Sequence, residues 1–173
     1  MQPRLLSEFS IGSRGAQCGE WVMLAYRVPR TPSTPRIAIW RRLKRMGVAQ
    51  LNDGLVALPL DGRTREALEW IADDVVAVGG EASVWIARPA SLAQERALAA
   101  RMAEAVASEY QAVSSEATSA GEREPWLRRR TLARLRRELH RTRRRDFFPP
   151  PEREQAEAAV AQLAATLEEA VRR

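Results

Sequence analysis

Cysteine and histidine are almost missing from these 173 residues, at one each, Cys18 and His140. A lone thiol closes no internal disulfide, so the chain is not an oxidised secreted framework and a reducing, cytoplasmic setting is expected. So few soft ligands exclude the usual His/Cys zinc site. His140 lies inside an arginine-dense segment, where an exposed helix position is a simpler reading than a catalytic relay. No apolar run approaches the roughly 18 residues needed to span a bilayer, so no membrane partner is expected. The first nineteen residues lack the apolar centre of a signal peptide, and Ser7, Ser10, Gly12, Ser13 and Gly15 make 1–19 read as a flexible tail.

Phosphate-cradling and metal-binding patterns are equally scarce. Gly79-Gly80 has neither the lysine nor the spacing of a P-loop and reads as a helix stop. Asp53, Asp61, Asp73 and Asp74 form the only acidic group of interest. Asp73 and Asp74 are neighbours on a predicted helix, about 100° apart, and so share no face. Asp53 suits a turn, and Asp61 a loop or cap. The expectation is a protein that is not an enzyme, with no catalytic residues, no metal and no cofactor.

What is present is positive charge, unevenly placed. The formal net charge is +6. Ten arginines (Arg128, Arg129, Arg130, Arg134, Arg136, Arg137, Arg141, Arg143, Arg144 and Arg145) face one acid, Glu138, within eighteen residues, leaving that segment at +9 and the rest of the chain at −3. Arginine's planar, five-donor head suits phosphate oxygens. Positions 130, 134, 137, 141 and 144 follow helical spacing and predict one positive stripe, broadened by 129, 136, 143 and 145. The competing reading is neutralisation by neighbouring helices, through Glu95, Glu104, Glu109 and Glu116 or through Glu152, Glu154, Glu157, Glu168 and Glu169. Since like charges at this density repel one another along a helix, part of the stripe is expected to stay exposed.

Arg36, Arg41, Arg42, Lys44 and Arg45 make a second basic cluster. The helix start predicted at Thr34-Pro35, flanked by Arg27, Arg30 and Arg36, offers free N–H groups and a positive dipole end, in principle a small-oxyanion site. A solvated charged face is the commoner explanation of such a cluster.

Periodicity organises the rest. WVMLAYRV (21–28) is apolar on both faces, as in a central strand. Thr34-Pro35 reads as an N-cap with proline at the first helical position, Ile37, Trp40, Leu43 and Met46 as the buried stripe, and Gly47 as the stop. Strands are predicted at 48–52 and 55–60 around the Asp53-Gly54 turn. A helix follows over 64–78 with Ala67, Ile71, Val75 and Val78 inward, then a strand over 81–88. Strand, helix, strand, strand, helix, strand is the ferredoxin-like order, with two helices on one face of an antiparallel sheet. Beyond Pro89 only helices are predicted. One is capped by Ser91 and Gln94 and carries Leu98, Met102, Val106, Tyr110 and Val113; SSEATSAG (114–121) reads as a linker. The arginine helix (125–145) bears Leu132, Leu135 and Leu139, and the last helix (152–171) has a seam of Ala156, Val160, Leu163, Leu167 and Ala170. The fold class expected is α+β: a tail over 1–19, a ferredoxin-like βαββαβ domain over 20–90, and a three-helix extension over 91–173.

In combination, several of these segments resemble the N-terminal region of the chromate resistance protein ChrB family. They are a strand ending in YRVP, the PSTPR loop, WRRLKRMG, the DGLVALP hairpin, the GGEA turn, and RLRRELHRTRRRDFFPP. The first unit is also similar to the middle domain of PaaX-like repressors and to the ferredoxin-like subunit of CRISPR adaptation nucleases. The resemblance implies a transcriptional regulator that binds promoter DNA and responds to chromate. The nuclease version carries an aspartate just after its first strand; here Val28-Pro29-Arg30 stand there. No winged helix is expected from the residues before the first strand, and nothing in these residues is expected to supply the long C-terminal domain of full-length chromate regulators. DNA contacts are therefore expected from Arg128–Arg145, supported by Arg41, Arg42, Lys44 and Arg45. A small oxyanion such as chromate is the implied effector, and a homodimer would match a palindromic operator. The alternative from another class is an interaction protein whose basic helix docks an acidic partner, and a third reading, ranked behind it, is a Cas-like metal-dependent nuclease.

Overall fold

The apolar run after Glu20 forms β1 (Trp21–Arg27), and its two-sided apolarity is explained by its place inside a sheet. A computed structural model describes residues 19–172, with side chains as far as Glu168. The tail expected over 1–19, Cys18 included, lies outside the described residues except at Gly19. The chain continues through α1 (Ser33–Met46), β2 (Ala49–Asn52), β3 (Leu55–Pro59), α2 (Gly62–Ala77) and β4 (Glu81–Ala87). Strand order β2-β3-β1-β4, antiparallel throughout, makes this the ferredoxin-like α+β unit that the element order predicts.

Turn chemistry accounts for the joints. Gly54 closes the β2–β3 hairpin at φ 75°, and a Cβ there would lie 2.4 Å from the Tyr26 carbonyl oxygen, so only glycine fits. Gly47, also left-handed, ends α1. Asp61 caps α2 in a reciprocal box: its carboxylate accepts from the Thr64 N–H at 2.6 Å and its own N–H donates to Thr64 Oγ1 at 2.9 Å.

Three expectations for this unit fail in detail. α1 begins at Ser33, with Pro32 in the cap position making no side-chain bond, so Thr34 lies inside the first turn rather than capping it. Its buried residues are Ile39 and Leu43, while Ile37 is exposed. In α2 the inward set is Thr64, Leu68, Ile71 and Val75; Ala67 is only half-buried and Val78 is exposed. In both helices the apolar alternatives are one or two residues apart, and the contact with the sheet selects between them.

α3 (Leu92–Ala120) starts where Ser91 Oγ accepts from the Gln94 N–H at 3.2 Å, while the Gln94 side chain reaches back to the Ala90 N–H. It runs 29 residues, through the stretch expected to be a linker. Val113, Ala117 and Ala120 extend the buried stripe at spacings of four and three, so 114–120 packs as helix and only Gly121 of the expected linker lies beyond it. Its hydroxyls bond back along the helix, Thr118 Oγ1 to the Ser114 carbonyl at 3.0 Å and Ser119 Oγ to the Glu116 carbonyl at 3.1 Å.

The chain divides into two compact units between Met102 and Ala103, inside α3. The first unit therefore includes the opening turns of α3. There Glu95, buried, accepts from the Gly19 N–H at 2.8 Å and the Trp21 indole N–H at 3.2 Å. The second unit comprises the rest of α3 with α4 (Pro125–Arg143) and α5 (Glu152–Arg172). Its core joins Val106, Tyr110 and Val113 of α3, Leu132, Leu135 and Leu139 of α4, and Ala156, Val160, Leu163 and Leu167 of α5. Among the described residues no helix is long and apolar enough to cross a membrane.

Candidate nucleic-acid interface

α4 owes its start to Pro125 at the first helical position and its inward face to Thr131, Leu132, Leu135, Leu139 and Thr142, all buried. At 100° per residue these five cluster on one side, which leaves the arginines the opposite arc. Arg129, Arg130, Arg136, Arg137, Arg141, Arg143 and Arg144 are exposed, and His140 lies among them, exposed as expected. Arg128, Arg134 and Arg145 are only partly exposed.

Neighbouring carboxylates neutralise three members of this set. Arg134 bridges Glu116 of α3 and Glu138 of its own helix, the latter at 2.8 Å, and these hydrogen bonds raise its already high pKa. Arg145 pairs with Glu109, which also accepts from Thr142 Oγ1 at 2.9 Å. Arg143 reaches Glu157 of α5 at 3.6 Å. Arg134 and Arg145 therefore leave the expected stripe: they flank the buried face and lie within reach of α3. Arg128 is half-buried, and its Nε has no partner among the described residues.

Six guanidinium groups remain. Arg129, Arg130, Arg136, Arg137, Arg141 and Arg144 are exposed, and none of their side chains has an ion pair or hydrogen bond among the described residues. From Arg129 to Arg144 the helix rises about 22 Å. Of the carboxylates expected to screen the stripe, Glu109, Glu116 and Glu157 do pair with it. Glu95 is instead buried against Trp21, Glu152 accepts from Gln111, and the Glu169 side chain lies outside the described residues. Internal pairing thus consumes part of the charge and leaves a cationic face.

The C-terminal end of α4 is held by a polar cluster that the pattern of residues did not single out. Tyr110, fully buried, donates its hydroxyl to Asp146 Oδ2 at 2.8 Å, and Arg153 approaches the same carboxylate at 3.6 Å. Asp146 Oδ1 is buried without a hydrogen-bond partner among the described residues. Burial pushes the Asp146 carboxyl above its ordinary value, although Tyr110 and Arg153 pull the other way. Burial and the adjacent Asp146 both push the Tyr110 phenol up, so it stays protonated and donates.

Trp126 was also missed. It is 65% exposed, more than any other large apolar side chain described. Its spacing of four, eleven and eighteen residues from Arg130, Arg137 and Arg144 was the available signal.

In the first unit, Arg41, Lys44 and Arg45 are exposed, with Lys44 Nζ 5.4 Å from the centre of the Trp40 ring. Arg42 is paired with Asp74 of α2. Arg27, Arg30, Thr34 and Arg36 are all exposed. Among the described residues no three His, Cys, Asp or Glu side chains are grouped to hold a metal ion.

Residues 36–173 match the family described as Protein ChrB, N-terminal. The chain is 31% identical over 132 residues to Protein ChrB of Cupriavidus metallidurans, a match covering 75% of this chain and 40% of the relative. It thus corresponds to well under half the length of that curated relative. No solved structure matches. With the family match running from α1 to the last residue, the chain belongs to the ChrB N-terminal family.

Proposed function

We propose that this chain is a non-enzymatic, DNA-binding transcriptional regulator of the chromate-resistance type, acting in the cytoplasm and contacting phosphates through α4. The observation that carries the reading is the set of six exposed guanidinium groups without partners among the described residues, on the side of the helix opposite its leucine seam. Duplex DNA carries one charge per roughly 1.7 Å of axis, so a 22 Å cationic face meets many phosphates at once. Arg143, weakly held by Glu157, is a seventh contact available to the same face. Arg41, Lys44 and Arg45 are a secondary set. A homodimer would present two such faces to a palindromic operator.

A mobility-shift titration across salt concentrations tests this. Six phosphate contacts predict that log K falls with log salt at a slope near −5, about −0.9 per contact. A helix that instead docks an acidic protein would leave DNA unshifted near physiological salt, and that result would overturn the DNA reading. The effector implied by the resemblance is a small oxyanion such as chromate, and DNA release on adding chromate is the corresponding readout.

A further inference from the structure

Trp126 occupies the second helical position of α4, directly after Pro125. Helices place residues four and seven apart on one side, so Trp126, Arg130, Arg137 and Arg144 lie within about 40° of one another. The indole therefore heads the unpaired guanidinium line. No capping role explains it, because the N-cap residue Glu124 makes no side-chain bond. Packing does not explain it either, since the ring is mostly exposed.

An indole gains almost nothing from a phosphate, which is charged and strongly hydrated. It gains a great deal from an aromatic ring, by removing apolar area from water and by stacking. On a helix that enters a groove, the N-terminal residues are commonly those nearest the bases. We propose that Trp126 is the base-contacting residue of the α4 interface, packing its indole on a nucleic-acid base while the arginines behind it hold the backbone. The inference rests on the DNA-binding reading above and adds a division of labour to it: charge for the phosphates, one ring for a base.

The test compares the full chain with its Trp126→Ala and Trp126→Phe variants, on labelled duplex DNA and on inorganic polyphosphate, which has charge but no bases. Trp126→Ala should weaken duplex DNA binding by about fivefold or more, the loss expected for one apolar contact with a base edge. Its log K against log salt line should run parallel to that of the wild type, because no charge is removed. Trp126→Phe should fall between the two. Polyphosphate binding should be unchanged in both variants. Tryptophan fluorescence quenched by DNA in the wild type should lose that component in Trp126→Phe. Both variants should melt at the wild-type temperature, since the ring is not part of the core. If Trp126→Ala binds DNA as the wild type does, or loses DNA and polyphosphate equally, the base contact is refuted and the cationic reading stands. If the wild type fails to bind DNA at all, both fall together.

Discussion

Replacing Arg130, Arg137 and Arg144 together by glutamine separates exposed charge from structural charge on α4. All three are exposed, none has an internal partner among the described residues, and they align along one line of the helix. Each lost phosphate contact should flatten the salt dependence by about 0.9, so the triple variant should lose about 2.7 from its slope. At about 0.15 M salt that corresponds to roughly a hundredfold weaker DNA binding, on the order of 3 kcal/mol. Folding should not suffer. Removing like charges from i,i+4 neighbours such as 137 and 141 relieves repulsion worth ~0.2–0.5 kcal/mol per pair. The matched control is Arg134→Gln with Arg145→Gln, two guanidinium groups already held by Glu116, Glu138 and Glu109. That pair should alter the DNA slope little and lower the melting temperature instead. Fluorescence anisotropy at four or more salt concentrations, with thermal melts alongside, provides both readouts. Equal slopes for the triple variant and the wild type would refute the assignment, as would a larger slope change in the control.

Two further expectations concern the bundle that presents this face. Asp146 has a raised folded pKa, so between the ordinary aspartate value of about 4 and that raised value the folded state binds more protons than the unfolded one. Its contribution to stability is therefore greatest in acid and declines as pH rises through the folded value. Asp146→Asn lacks that decline, so the melting temperature of the variant should gain on the wild type as pH is raised from about 4. Parallel curves would show that Tyr110 and Arg153 cancel the effect of burial, and a wild type that gains on the variant would show that they outweigh it. Leu135→Ala empties a fully buried position in the core of the second unit and should cost about 2–5 kcal/mol in urea unfolding. A loss below about 1 kcal/mol would mean that the seam is not where the bundle is held.

How much of this was legible without coordinates varies with the range of the interaction. The Asp53-Gly54 turn, the Gly47 stop and the strand-helix order are local or periodic signals, and they led directly to the observed sheet. Thr34 looked like a cap because hydroxyl-then-proline is a common start, yet the helix begins two residues earlier with Pro32 at the cap. SSEATSAG looked like a linker because its residues are small and polar. Helical spacing of Val113, Ala117 and Ala120 outweighed that composition once α4 and α5 supplied a surface to pack against. Arg145 could not be told from its neighbours in the run of arginines, because its partner Glu109 lies 36 residues away; for Arg134 the i,i+4 partner Glu138 was in view, but Glu116, 18 residues away, was not.

Composition and periodicity by themselves determined that α4 forms, that it is dense in arginine and that one of its sides is leucine-lined. A helix of 3.6 residues per turn turns such a pattern into two opposed faces regardless of what surrounds it. Only the packing of α3 and α5 decided which guanidinium groups were matched. An ion pair needs its carboxylate within about 4 Å, and that distance is set by how separate helices meet. The same packing left six arginines and Trp126 facing solvent.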